Sequence, residues 1–179
     1  MDQASVNNSK QSNKTKDMVL SALLITLVFV ATKFINIKLP ISINGGLIHA
    51  GNTMLFLAAI VFGKKKGAVA GAFGMGLFDV LSGWLAWAPF TFIVRGVMGY
   101  IIGKISWANG KEGNSVVLNI IAIVAGGIWM MVGYYFTEVI LYGNWVTPFT
   151  SIPGNITQIV IGALIGLPLV IALKKTKVV

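Results

Sequence analysis

The sequence predicts an all-α integral membrane protein in which six transmembrane helices form one compact bundle. Composition is the first reason, since 56% of the 179 residues are hydrophobic, only 11% are charged and the mean hydropathy is +0.83. A soluble domain usually carries about twice that share of charged residues. The apolar residues also fall in runs of nearly bilayer-spanning length, and lysines cluster between the runs. We therefore expect a multi-pass protein of the bacterial cytoplasmic membrane.

Six apolar runs define the expected helices. They fall at residues 18–36, 47–63, 67–83, 89–107, 115–142 and 151–173. The second and third runs are short, and only the turn Gly63-Lys-Lys-Lys-Gly67 separates them. Because three lysines cannot lie in hydrocarbon, this turn marks a membrane face. Six crossings is the expected count, and a count of four or five with one re-entrant segment stays open.

These runs leave a polar tail at each end of a single membrane domain. We expect residues 1–17 to form a polar cytoplasmic N-terminal tail, residues 18–173 the membrane domain and residues 174–179 a basic cytoplasmic tail. No small-residue cleavage site follows the first apolar run. That run is therefore expected to remain as a helix and not to be removed as a signal peptide.

The lysines predict how the bundle is oriented. Cytoplasmic loops of membrane proteins carry an excess of Lys and Arg. With the N-terminus inside, the outer face receives only Lys33 and Lys38. The inner face then receives Lys10, Lys14, Lys16, Lys64, Lys65, Lys66, Lys104, Lys111, Lys174, Lys175 and Lys177. Both termini are therefore expected to be cytoplasmic. This clustering also accounts for the net charge of +9 without a nucleic-acid-binding surface.

Asp79 and Arg95 are opposite charges inside neighbouring apolar runs. They lie on either side of the expected outer turn at residues 83–89, each one to two helical turns from it. Either charge alone would be costly in hydrocarbon. We expect the two side chains to form an ion pair. Whether that pair only joins two helices or also contacts a substrate stays open at this point.

Most other polar groups collect in the expected outer third of the membrane. The candidate substrate-binding residues among them are His49, Asn52, Trp84, Tyr135, Glu138, Asn155 and Gln158. The inner halves of the same helices carry few such groups, which indicates an outward-facing pocket and not a continuous polar channel. Aromatic faces, amides and one histidine suit a small polar aromatic molecule with hydroxyl or ring-nitrogen groups.

The sequence offers little for catalysis. It contains one histidine and no cysteine, and it lacks both a Gly-x-Ser-x-Gly elbow and a His-Glu-x-x-His pair. The triple-lysine turn lacks the P-loop pattern. We expect binding without chemistry and no metal or cofactor. Two other functions remain: an autonomous channel or secondary carrier, and a membrane enzyme with Glu138 and His49 as acid and base.

Four stretches of the chain carry a resemblance to a known family. They are residues 55–63, residues 67–74, Phe78-Asp-Val-Leu-Ser-Gly-Trp84 and Ala88-Pro-Phe-Thr-Phe-Ile-Val-Arg-Gly96. In these stretches, and in size and topology, the chain resembles the S components of energy-coupling factor (ECF) vitamin transporters. It is closest to the riboflavin-type branch, which includes members assigned to hydroxymethylpyrimidine, pyridoxine and pantothenate.

The resemblance implies a six-helix subunit that binds a small vitamin or precursor, hydroxymethylpyrimidine or pyridoxine, near the extracellular side. It also implies partners, namely a membrane T component and two cytoplasmic ATP-binding subunits. Ala22 and Thr26 match the family's Ala-x-x-x-Ala docking motif as a small-x-x-x-small pair. Where relatives often have Gly-Asp at the start of the second helix, this chain has His49-Ala-Gly-Asn52, so the ligand contacts are expected to differ.

Overall fold

The computed structural model describes residues 3–38 and 47–176 of the chain, and the side chains of residues 13–36 and 49–176. Lys177 and the side chains of Lys10 and Lys38, which entered the orientation prediction, lie outside this description. The helices are α1 (Gln3–Phe34), α2 (Gly51–Leu81), α3 (Ala88–Ser106), α4 (Val116–Tyr142) and α5 (Ile152–Lys175). Two short strands, β1 (Asn36–Lys38) and β2 (Leu47–His49), pair antiparallel between α1 and α2. Short 3-10 turns, Ala108–Gly110 and Thr147–Ser151, flank α4.

Four of the described helical segments are long and apolar enough to cross a membrane, so the prediction of six transmembrane helices is wrong. These segments are Asn13–Phe34, Ala88–Ser106, Val116–Tyr142 and Thr147–Lys175. The runs expected at 47–63 and 67–83 lie mostly in the single element α2, and the first three residues of the earlier run form β2. Residues 51–62 rise only about 18 Å, against about 30 Å of hydrocarbon. The rest of α2 starts with the three lysines.

Helix α2 reverses direction at Gly63. This residue has φ 83° and ψ −179°, a conformation that essentially only glycine adopts. In a straight helix Ala59 and Gly67 would be about 12 Å apart. Yet a Cβ added at Gly67 would lie only 2.5 Å from the Ala59 Cβ, and one at Gly71 would lie 2.7 Å from Leu55 Cδ1. The two halves of α2 therefore run antiparallel and in contact.

Glycines in the second half of α2 allow close packing against both neighbours. A Cβ at Gly74 would lie 2.7 Å from Val28 of α1. On the other side the backbones of Gly67 and of Gly99 in α3 are in direct contact. Small residues permit such approach where lipid supplies no hydrophobic drive between helices. As a result α2 lies at the centre of the bundle, against α1, α3 and α5.

The apolar side chains of the bundle divide between a core and an outer surface. The largest fully buried side chains are Leu55, Phe56, Ile60, Met75, Met98, Ile102 and Met130. The outward faces of α4 and α5 expose large apolar residues, such as Val117 at 67% and Leu164 at 70%. Surface of this kind, continuous over helices of spanning length, suits hydrocarbon and not water. The chain is a membrane protein.

One end of the bundle is rich in lysine. There Lys66 forms a 2.7 Å salt bridge with Asp17 of α1. Helix α1 begins at Gln3, so the segment expected to be a polar tail is largely helical. Lys174, at the end of α5, donates to the carbonyl of Val61 over 3.4 Å. At the opposite end Lys33 donates to Ser82 over 2.9 Å. By the positive-inside rule the lysine-rich end is the expected cytoplasmic end.

Candidate functional site: a buried polar cluster around Arg95

Arg95 lies at the centre of a polar cluster at the end opposite the lysines, and its side chain is only 3% exposed. Its Nε donates to the Tyr134 hydroxyl of α4 over 3.0 Å. Its Nη1 donates to Asn52 Oδ1 of α2 over 2.5 Å, and its Nη2 to Gln158 Oε1 of α5 over 2.9 Å. The planar guanidinium suits this arrangement because its donors diverge in fixed directions. One side chain of α3 thus connects to three other helices.

Helical spacing brings the cluster's residues to one face on each helix. On α3, Thr91, Arg95 and Met98 follow at intervals of four and three residues. On α4, Met130 and Tyr134 are four residues apart. The sulfur atoms of Met98 and Met130 both contact Arg95 Nη1, the former at 3.7 Å. Polarizable thioethers therefore fill the space that the polar contacts leave around the guanidinium.

Asn52 and Gln158, both predicted as binding residues, are brought together in this cluster. Asn52 Nδ2 donates to Gln158 Oε1 over 3.4 Å, and the two side chains are 0% and 3% exposed. Gly162 makes the approach of α5 possible, because a Cβ there would lie 2.8 Å from Asn52 Cβ. Asn155, one turn before Gln158, is half-buried. A pair of amides is thus held in position beside the guanidinium.

Asp79 is linked to Arg95 through two hydroxyl groups, which replaces the direct ion pair expected from the sequence. The Tyr134 hydroxyl accepts from Arg95 and donates to Thr91 Oγ1 over 3.2 Å. Thr91 in turn hydrogen-bonds the Asp79 carboxylate. Within the described ranges, the salt bridge that forms lies at the lysine-rich end and involves neither residue. The reason is that acceptors on three other helices surround the guanidinium, so the two charges interact at longer range.

Glu138 places a carboxylate one helical turn beyond Tyr134 on α4. Its side chain is 4% exposed and accepts a 2.9 Å hydrogen bond from the Ser151 hydroxyl. Ser151 ends the 3-10 turn that leads into α5. The carboxylate is therefore fixed between the end of α4 and the start of α5.

The aromatic residues near the cluster differ from those predicted. The ring of Trp87 lies 6.2 Å from that of Tyr134, whereas Trp84 packs edge-on against Trp87 at 6.5 Å and is one ring farther away. Tyr135 donates from its hydroxyl to the Trp145 carbonyl over 2.8 Å. Of the two predicted aromatic contacts, Trp84 thus lies behind Trp87, and Tyr135 is bonded to the α4–α5 connection.

His49 ends β2 and is half-buried. Its Nδ1 accepts from the backbone N–H of Gly51 over 3.2 Å, and its ring lies 6.4 Å from that of Phe78. Burial, together with the positive charge of Arg95, lowers the pKa of His49 well below its ordinary value. The imidazole is therefore neutral at pH 7, with its Nε2 protonated.

Several members of the cluster were not among the candidates from the sequence. They are Thr91, Met130, Tyr134 and Ser151. Threonine, serine and methionine cost little in an apolar helix, so their presence alone is not informative. Their spacing was the available signal. Thr91 lies four residues before Arg95, and Tyr134 lies four residues from Met130 and from Glu138.

The predicted docking pair, Ala22 and Thr26, is exposed on α1. The Thr26 hydroxyl donates to the Ala22 carbonyl over 2.9 Å, so its hydrogen bond is satisfied within the helix. Leu23 and Leu27 beside them are 57% and 49% exposed. The surface is therefore apolar with a shallow strip of small side chains.

The fold and the cluster together define a small polytopic membrane protein with a buried polar site near one end of its bundle. The sequence matches the profile of the family described as ECF-type riboflavin transporter, S component, over residues 12–175. This match covers most of the chain. The protein therefore belongs to that family of transporter subunits.

Two curated relatives align with most of the chain. A Pyrococcus woesei protein, described as an uncharacterized protein in gap 3' region, is 35% identical over 141 residues, which is 78% of this chain and 90% of that protein. The thiamine precursor transporter HmpT of Lactococcus lactis subsp. cremoris is 26% identical over 149 residues, which is 82% of this chain and 81% of HmpT. By its family, this chain is an S component for vitamin uptake.

Proposed function

We propose that this S component binds hydroxymethylpyrimidine, or a similarly small vitamin such as pyridoxine, from the extracellular side. The observation that carries the proposal is the set of hydrogen bonds from Arg95 to Asn52 and Gln158. These groups are oriented by the fold before any ligand enters, which lowers the cost of binding. The relative named as a thiamine precursor transporter favours the pyrimidine, because hydroxymethylpyrimidine is the pyrimidine half of thiamine.

The chemistry of the cluster matches that of an aminopyrimidine. An amide presents a donor and an acceptor side by side, and a ring nitrogen with a neighbouring amino group presents the complement. Asn52 and Gln158 supply such amides. The neutral imidazole of His49 and the ring of Trp87 lie at the border of the cluster and suit a hydroxyl group and an aromatic face.

Titration of the purified chain tests the substrate. We expect the isolated protein in detergent to bind one member of a panel of hydroxymethylpyrimidine, pyridoxine, thiamine, riboflavin and pantothenate, measured by isothermal calorimetry. Gln158→Ala should weaken this binding about 10- to 100-fold, because a buried hydrogen-bonding group is lost. Thr157→Ala is the matched control, since the exposed Thr157 hydroxyl bonds only the Pro153 carbonyl among the described contacts.

Two results of this titration would contradict the proposal. Absence of binding to every member of the panel would overturn the assignment of a vitamin substrate. Equal loss in Gln158→Ala and Thr157→Ala would show that the polar cluster is not the binding site. A preference for riboflavin would keep the site and replace the substrate.

We further propose that delivery inward requires a T component and two ATP-binding subunits. The chain has no P-loop pattern of its own, so in this proposal the partner subunits bind and hydrolyse the ATP. The exposed Ala22 and Thr26 would allow a partner helix to approach closely. Thr26→Leu should therefore reduce co-purification with the T component. Val160→Leu, which enlarges an exposed residue of α5, should leave co-purification unchanged.

Uptake into proteoliposomes separates this function from that of an autonomous carrier. We expect vesicles that contain this chain alone to take up no labelled vitamin. Vesicles with the partner subunits and internal ATP should accumulate it. Uptake by the chain alone, driven by a solute or ion gradient, would contradict the proposed dependence on partners and support a secondary carrier.

A further inference from the structure

A second polar cleft lies at the lysine-rich end of the bundle, away from Arg95. It has a volume of about 190 Å³ and lies between the start of α4 and the end of α5. Asn114, Val116 and Asn119 line it on one side, and Ile171, Lys174 and Lys175 on the other. The proposed vitamin site does not use any of these residues.

Three sources of positive potential meet at this cleft. Two are the ammonium groups of Lys174 and Lys175 in the last turn of α5. Lys174 is held in place by the Val61 carbonyl at 3.4 Å and by the Trp107 ring at 5.9 Å. The third is the start of α4, where the Ser115 hydroxyl caps the Leu118 N–H over 3.4 Å and the N–H groups of Val116 and Val117 have no acceptor within the helix. An anion is favoured at such a position.

Asn119 provides an independent indication of a ligand. Its side chain is 1% exposed, and its Nδ2 donates to the Gly113 carbonyl over 2.8 Å, which orients the amide. Its Oδ1 is buried and accepts no hydrogen bond within the described part of the chain. A buried acceptor without a donor is costly. A ligand that brings a hydroxyl or ammonium donor into the cleft would satisfy this oxygen.

We propose that the cleft binds a phosphate group that carries a neighbouring hydrogen-bond donor. The phosphate would lie against Lys174, Lys175 and the start of α4, and the donor would reach Asn119 Oδ1. The apolar wall formed by Val116 and Ile171 favours a lipid as the source of the phosphate. Basic pockets between transmembrane helices on the cytoplasmic side bind lipid head groups in this way.

Phosphatidylglycerol fits these requirements because it combines an anionic phosphate with glycerol hydroxyl donors. Its acyl chains would find an apolar path along α4, where Val117 and Ile121 are 67% and 50% exposed. Phosphatidylcholine has the same phosphate and the same tails, but its head group has no N–H or O–H donor. The two lipids therefore separate head-group recognition from general affinity for the apolar surface.

Native mass spectrometry of the full-length protein in detergent tests the proposal. After delipidation we expect one phosphatidylglycerol to be retained per chain, with a preference over phosphatidylcholine. Lys175→Gln should weaken retention about fivefold, because one positive charge near the head group is lost. Lys104→Gln removes an exposed lysine at the same end of the bundle but outside the cleft, and should leave retention unchanged.

The remaining arms distinguish the outcomes. Asn119→Leu should abolish the preference for phosphatidylglycerol, and Lys175→Gln, at an exposed position, provides the test if Asn119→Leu does not fold. If Lys175→Gln and Lys104→Gln retained phosphatidylglycerol equally well, the proposed binding site in the cleft would be overturned. Competition by millimolar inorganic phosphate that depends on Lys175 would keep the phosphate chemistry and overturn the lipid as its source.

Discussion

Nη2 of Arg95 donates to Oε1 of Gln158 over 2.9 Å, between residues 63 positions apart in the chain. This contact joins α3 to α5 in a region where both side chains are almost fully buried. A buried arginine is costly unless its donors are satisfied. Here they are satisfied by groups that the proposed ligand would also use, so stability and binding share the same residues.

Replacing Arg95 should destabilise the protein. Arg95→Gln removes the charged donor from Asn52 and Gln158, and we expect the free energy of unfolding to fall by about 3 kcal/mol. The free energy of unfolding of Arg95→Lys should lie between those of Arg95→Gln and the parent, because an ammonium group keeps the charge but cannot reproduce the planar set of donors. Unfolding in mixed micelles with increasing SDS measures both. A stability of Arg95→Gln equal to that of the parent would contradict the central role of this residue.

Asp79 and Arg95 should be energetically coupled through Tyr134 and Thr91. We expect the loss of stability in the double variant, Asp79→Asn with Arg95→Gln, to be smaller than the sum of the losses in the two single variants, because each single change leaves the other charge without its partner. In a Tyr134→Phe background, which removes the intervening hydroxyl, the coupling should shrink. Double-mutant cycles measured by thermal unfolding give the coupling energy between Asp79 and Arg95 in the parent and in the Tyr134→Phe background. Simple additivity in the parent background would show that the two charges are independent.

Gly63 should be intolerant of any side chain. Its φ of 83° with ψ of −179° is open essentially only to glycine, so Gly63→Ala should cost about 1–3 kcal/mol or prevent folding of α2. Gly166→Ala is the matched control in α5, because the nearest atom to an added Cβ there lies at 3.5 Å, an ordinary contact distance. Melting temperature and monodispersity in detergent report the outcome. Similar behaviour of the two variants would argue against a required reversal at Gly63.

His49 should make stability depend on pH. Burial and the charge of Arg95 lower the pKa of His49 in the folded protein, so between that value and about 6.5 only the unfolded chain binds the proton. Stability should therefore fall as the pH is lowered below about 6.5, by at most about 1.4 kcal/mol per pH unit. The difference between the parent and His49→Gln isolates this contribution. Parallel pH profiles of the two proteins would contradict it.

The candidate binding residues show which features of the site can be predicted from local sequence patterns. Asn52 and Gln158 were selected because they lie among the polar groups of the expected outer third of the membrane, and the fold brings them into contact. Trp84 and Tyr135 were selected by the same reasoning, but Trp87 lies nearer to Tyr134, and the Tyr135 hydroxyl bonds Trp145. Depth in the membrane can be read from the sequence. The direction in which a side chain points depends on how each helix is rotated against its neighbours.

The prediction of six transmembrane helices was wrong for a related reason. Hydropathy reports that residues 47–63 and 67–83 are apolar, but it does not report where the backbone turns. The reversal at Gly63 depends on contacts such as that between Gly67 and Ala59, which exist only after the two halves of α2 have packed. The short first half and the three lysines at the turn were visible in the sequence, and both are consistent with four helical segments long and apolar enough to span in the described part of the chain.

The sequence by itself determined the membrane environment, the gathering of lysines at one end and the residue types available for binding, because these follow from transfer free energies that each segment carries locally. Only the tertiary structure decided that Arg95 bonds Asn52, Gln158 and Tyr134 and reaches Asp79 through Thr91. A guanidinium selects its acceptors by distance and direction. Those are properties of packed helices and not of any single stretch of chain.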